Sequence, residues 1–177
     1  MPKKRIRSVV RTAYALALLG ITPASAGDYI KSAVPNAEKV GQGRLTYMFW
    51  DVYDAALYAP NGLWKADKPF ALQLSYLREI DGEKIADRSL QEMREQGFTD
   101  EGKLERWHKE MKKIFPDVDE GIVLTGVFTN KGETVFYMDS TEIGRIEDPE
   151  FGPSFFNIWL SEKTNSPKLR EKLLGVS

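Results

Sequence analysis

Arg44 and Tyr53 stand on two successive runs rich in Val, Tyr, Phe, Trp and Leu, residues 42–49 and 52–59, which read as the arms of a hairpin. Pairing the arms about a turn near Phe49 to Asp51 sets the two residues nearly opposite each other. A cross-strand Arg and Tyr can clamp a carboxylate or phenolate oxygen. The same pattern fits a water-exposed Arg at a sheet edge beside a packed Tyr, and spacing alone favours neither reading. Three further groups offer chemistry. Phe151, Phe155, Phe156 and Trp159 fall at helical spacing and can wall an apolar ligand pocket, with ordinary core as the default. His108 lies beside Trp107 at the edge of another helical stripe; as the chain's one histidine it excludes any site that needs two, and a structural role is expected. Asp117-Val118-Asp119-Glu120-Gly121 begins like a calcium loop, but the twelfth position, where an acid is required, is Phe128. That segment reads as an acidic turn, so neither a metal nor a cofactor is expected.

The elements needed to position these residues follow a short leader. Lys3, Lys4, Arg5, Arg7 and Arg11 precede an apolar run over residues 13–21, then Pro23 and Ala24-Ser25-Ala26. Basic region, short apolar region and small-residue site, in that order, make a secretory signal, with cleavage expected after Ala26. The apolar run is about half of the ~20 residues that span a bilayer. Residues 1–26 are thus expected to be removed, leaving residues 27–177 as one periplasmic or secreted domain. Loss of the five basic residues takes the formal net charge from −1 to about −6. An acidic domain lacks the electrostatic footprint for nucleic acid and is poorly suited to anionic lipid. No other run is long enough for stable membrane insertion. The chain has no cysteine, which excludes disulfides, thiol catalysis and thiolate metal sites.

Pro60-Asn61-Gly62 ends the first hairpin. A third strand covers residues 70–77, with Phe70, Leu72, Leu74 and Tyr76 on one face and smaller residues on the other. Two helices are expected next, one capped by Asp81 and ended by Gly97, one capped by Asp100 and stopped by Pro116. Strands over 122–129 and 133–139 flank the turn Asn130-Lys131-Gly132, and 141–146 adds an edge strand. Asp148-Pro149 and Ser166-Pro167 start two last helices. Strands and helices that alternate in blocks predict an α+β domain, an antiparallel sheet covered on one face by helices.

Val40-Gly41-Gln42-Gly43-Arg44, Val52-Tyr53-Asp54-Ala55-Ala56-Leu57-Tyr58, the strand ending Leu74-Ser75-Tyr76, Phe156-Asn157-Ile158-Trp159-Leu160 and Leu173-Leu174-Gly175 occur in an order that resembles the secreted bacterial branch of the chalcone isomerase-like family. The resemblance runs from about Val40 to Gly175 and implies an open-faced sandwich. It implies a ligand site between sheet and helices, because fatty-acid-binding members hold a carboxylate with an Arg and a Tyr that Arg44 and Tyr53 match. The plant enzymes of the family add a Tyr and an Asn at the helix after the third strand, where this chain has Gly82-Glu83-Lys84-Ile85-Ala86-Asp87-Arg88. The expectation is therefore a non-catalytic domain binding a small apolar or amphiphilic ligand with an acidic, fatty-acid-like head. Arg44 and Tyr53 would hold the head, and Leu74, Phe155 and Trp159 would line the pocket. Two alternatives stand beside it: an intramolecular lyase or isomerase of a phenolic, chalcone-like substrate with Arg44 as activator, and an interaction protein with a closed pocket.

Overall fold

The computed structural model describes residues 27–176; the expected signal peptide lies outside them. Six strands form one antiparallel sheet in sequence order: β1 (Ala37–Tyr47), β2 (Trp50–Pro60), β3 (Phe70–Tyr76), β4 (Val123–Phe128), β5 (Thr134–Met138) and β6 (Thr141–Ile146). Helices α2 (Gly82–Glu95) and α3 (Glu101–Ile114) are inserted between β3 and β4, which nonetheless pair directly. Helices α4 (Phe151–Leu160) and α5 (Pro167–Leu174) follow the last strand. The expected α+β class and its antiparallel sheet with a helical layer are the observed architecture.

Alternation along each strand sorts the sheet into two faces. On β2, Tyr53, Ala55, Leu57 and Ala59 are buried beneath the helices, while Asp54, Ala56 and Tyr58 point the other way. The helix-side core contains Trp107 and Met111 of α3, Phe151, Phe155, Phe156 and Trp159 of α4, and Leu169 and Leu173 of α5. The second face is not wholly bare. The residues ahead of β1 fold into α1 (Asp28–Ala33), and its Ile30 together with the capping Val34 packs on Ala71 and Val127. At six residues this helix is too short for its periodicity to show in sequence.

Of the helix starts expected from sequence, only that of α3 carries a side-chain cap bond. Asp100 Oδ1 accepts from Lys103 N at 3.0 Å, as its residue type suggests. Asp81 makes no side-chain cap bond; Gly82 N donates instead to Asp117 Oδ1 at 2.8 Å. The acidic segment 117–121 thereby fastens the start of α2. Asp148 is displaced from the start of α4, since its Oδ2 accepts from Trp107 Nε1 at 3.0 Å and the helix begins at Phe151. Gly175 closes α5 at φ 67°, the left-handed geometry that glycine adopts without strain.

Candidate functional site

Tyr53 and Tyr76 are cross-strand partners on β2 and β3, with ring centroids 5.8 Å apart in an edge-on arrangement. Both face the helices and are almost fully buried. One turn of helix sets Phe155 and Trp159 side by side on α4. From there Trp159 Nε1 donates to the Tyr53 hydroxyl at 2.8 Å. Leu74, opposite Ala55, belongs to the same cluster. Four of the five residues assigned to a ligand site by sequence thus come together: Tyr53, Leu74, Phe155 and Trp159.

The fifth does not join them, and the assignment of Arg44 to the helix-covered face is corrected. The turn is at Met48 and Phe49, so Tyr47 pairs with Trp50. A bulge at Val52 then makes Leu45 the partner of Tyr53 and Asp54 the partner of Arg44. A shift of one residue moves a side chain to the opposite face of a strand. Arg44 therefore lies on the outer face, half-exposed, where Nε and Nη2 grip both carboxylate oxygens of Asp54 at 2.7 and 2.8 Å and Nη1 donates to Asp51 at 2.7 Å. The position that looks toward Tyr53 from β1 is a leucine.

Charge reaches the tyrosine pair from α2 instead. Glu92 is 7% exposed. It accepts from Arg88 Nη2 on one oxygen and from Asn165 Nδ2, at 2.8 Å, on the other. Sequence reasoning passed over these residues. Their one visible signal was Arg88 and Glu92 at helical i, i+4 spacing; in the fold Arg88 is exposed, while Glu92 is buried beside Met93. Asn165 sits in the α4–α5 connection and carried none. Of the remaining candidates, His108 Nε2 lies 2.6 Å from Asp87 Oδ1, a bond that joins α3 to α2. Among the described residues no group of three metal-ligating side chains converges.

Burial is the first cause pushing the Tyr53 phenol well above its ordinary 10.0; the bond from Trp159 opposes it, and the nearby Glu92 carboxylate adds to it. Burial likewise raises Tyr76, with Tyr53 a second cause. A folded-state pKa above the unfolded one means that both groups contribute their full stability below pH 10. That stability is lost as pH climbs beyond 10, at about 1.4 kcal/mol per pH unit for each phenol. In alkaline denaturation followed by circular dichroism, Tyr76→Phe is expected to flatten the fall in stability above pH 10. An unchanged slope would mean that the Tyr76 hydroxyl is free to ionise in the folded state.

A model of the chalcone isomerase-like family matches residues 40–175, and the chain belongs to that family. An uncharacterised protein of Haemophilus influenzae is 28% identical over 148 residues, covering 81% of this chain and 72% of its own length. The crystal structure of a fatty-acid binding protein of Arabidopsis thaliana superposes with a TM-score of 0.62 at 12% identity, over 79% of this chain and 87% of that one. At that identity the likeness speaks for the fold.

Proposed function

We propose that this domain is a non-catalytic binder of a small amphiphile, held between the sheet and helices α2 and α4 outside the cytoplasm. The observation that carries the reading is the buried Tyr53 phenol, whose proton has no acceptor among the described residues. The Tyr53 hydroxyl receives a hydrogen bond from Trp159 and donates to no group among the described residues; the Tyr76 ring is buried beside it, but its hydroxyl is not one of the fully buried polar atoms left without a partner. Buried donors find acceptors in stable proteins. An acidic head group supplies acceptor oxygens, and Arg88, half-exposed beside Glu92, supplies the cation. Leu74, Phe155 and Trp159 offer the tail an apolar wall. In the present conformation these side chains pack against one another, so entry of a ligand requires α4 or α2 to yield. The fatty-acid binding protein of like fold supports the ligand class, and the basic, apolar and Ala-Ser-Ala order of the leader supports the compartment. With Arg44 on the outer face, the isomerase reading loses its activator.

The test is calorimetry of a long-chain fatty acid on delipidated protein. Tyr53→Phe is expected to weaken binding by ~0.5–1.5 kcal/mol and Arg88→Ala by ~2–3 kcal/mol, values for a neutral and a charged hydrogen bond. Arg44→Ala is expected to leave the affinity unchanged. Absence of heat with the wild type, or a loss confined to Arg44→Ala, would overturn the assignment.

A further inference from the structure

The β1–β2 hairpin ends in four consecutive large apolar residues that the fold does not use. Tyr47 is 69% exposed, Met48 74%, Phe49 92% and Trp50 65%. Monomeric proteins scatter such residues singly; a contiguous cluster marks a contact surface. The hairpin also projects. The last pair between β2 and β3 is Tyr53 with Tyr76, and Leu77 N reaches back to Val52 O, so residues beyond Asp51 have no neighbour strand on that side. At ~3.3 Å per residue the apex stands about 10 Å clear of the sheet.

The backbone of the turn carries a second sign. Met48 has φ 56°. The first central position of a two-residue hairpin turn with positive φ is where glycine is at home and where a long side chain is strained. Folding alone would favour glycine there. A methionine and a phenylalanine at the apex cost conformational energy and return no packing within the chain. Backbone strain of this kind at an exposed, apolar position points outward, to something the tip touches.

Residue order selects the occupant. The most apolar side chains, Met48 and Phe49, are at the apex. The amphipathic Tyr47 and Trp50 stand one step behind. Charge begins after them: Asp51 is tied to Arg44 and to Thr46 Oγ1, and Arg78 lies 5.4 Å over the Trp50 ring. Apolar, then aromatic-amphipathic, then charged groups of both signs is the polarity gradient of a zwitterionic bilayer from acyl chains through the interface to the headgroups. The depth matches too, since surface-bound segments sink about 5–10 Å into the headgroup and acyl boundary. A convex finger of this shape has little to bury against another convex protein. The exposed carboxylates of Glu79, Asp119 and Glu120 lie at the same end of the sheet, which directs the tip to neutral headgroups and away from anionic ones.

The geometry points to the β1–β2 tip as a membrane-surface anchor that inserts Met48 and Phe49 into a zwitterionic lipid interface, with Tyr47 and Trp50 at headgroup level. It stands on the hairpin alone and holds whether or not the interior takes a fatty acid. The docking is peripheral: among the described residues no helix is long and apolar enough to cross a membrane.

The experiment is co-sedimentation of the domain with phosphatidylcholine vesicles, repeated with phosphatidylglycerol added. The comparison is a double variant carrying Met48→Gly and Phe49→Ser. That pair gives the turn its preferred glycine, so the double variant is expected to melt no lower than the wild type, and a folding defect cannot mimic lost binding. The wild type is expected to partition onto neutral vesicles at least about tenfold more strongly than the double variant. Its tryptophan emission is expected to be quenched by lipids brominated near the headgroup. Anionic lipid is expected to weaken the interaction. Three results would overturn the proposal: wild type that stays in the supernatant, equal partition of the two proteins, or binding that appears only with anionic lipid. A concentration-dependent dimer of the wild type that the double variant lacks, with no vesicle binding, would assign the tip to a second copy of the chain instead.

Discussion

Cutting Phe155 to alanine is expected to lower the unfolding free energy by ~3–5 kcal/mol, and Trp159→Ala by a similar amount. Phe155 touches five other rings, those of Phe115, Phe136, Phe151, Phe156 and Trp159, at centroid separations of 5.2–6.2 Å. Rings so placed, three of the pairs edge-on, one stacked and one tilted, add their mutual attraction to the burial of their area. Trp159→Ala also leaves the Tyr53 hydroxyl without its donor, in a place where water does not easily substitute. In a domain of about 150 residues each kcal/mol moves the melting temperature by roughly 2–4 °C, so a fall of roughly 6–20 °C is expected. Phe49→Ala, by contrast, removes an aromatic ring of the same size and is expected to change stability by less than about 0.5 kcal/mol, because nothing in the chain packs on it. Urea melts of the three variants check both halves of the statement. A loss under ~1 kcal/mol for Phe155 and Trp159 alike would mean that the α4 face is loosely packed, as an already open ligand cavity would be.

The aromatic face of α4 was legible because helical spacing is a strong local signal. The same holds for the strand faces: alternation from Phe70 to Tyr76 separated inside from outside correctly. Register was not legible. Whether Arg44 or Leu45 meets Tyr53 depends on where the turn falls and on one bulged residue, Val52. A turn whose central residues are Met48 and Phe49 gives no composition cue, since the expected residues are glycine, asparagine or aspartate. The sequence pointed to Asp51 as the polar residue of the turn; in the fold it is the partner of Arg44 and Thr46 behind the tip. The site's charged members were missed for a different reason. Glu92 and Arg88 look like an ordinary surface pair on a polar helix, and only the packing of α2 against the α4–α5 connection buries Glu92. Long-range burial of that sort leaves no periodic trace.

The Gly-x-Gly of β1 is the place where motif and packing meet, and Gly41→Ala is expected to destabilise the domain by about 3 kcal/mol. A methyl group at Gly41 would lie 2.1 Å from the carbonyl oxygen of Lys172 and 2.6 Å from that of Leu173. Those are backbone atoms of α5, and they cannot swing aside as a side-chain end can. Helix α5 would have to lift from β1, withdrawing Leu173 and Leu169 from the core. At Gly43 the obstacles are side-chain atoms, Leu169 Cδ1 at 2.9 Å and Lys172 Cβ and Cδ at 3.0 Å. The cost of Gly43→Ala is therefore expected to be smaller, within about 1–2 kcal/mol. The sign is informative. Gly41 does not occupy the left-handed region, and a glycine-to-alanine change without strain stabilises by about 0.4–1 kcal/mol through the unfolded chain. The prediction thus opposes the default, and it rests only on how closely α5 approaches the edge strand. Denaturant melts of the two variants decide it. If Gly41→Ala proves as stable as the wild type, α5 does not lie on β1 at this distance. If it falls as expected, the two glycines serve the closure of the fold, and the search for ligand contacts belongs on the opposite strands, at Tyr53 and Tyr76.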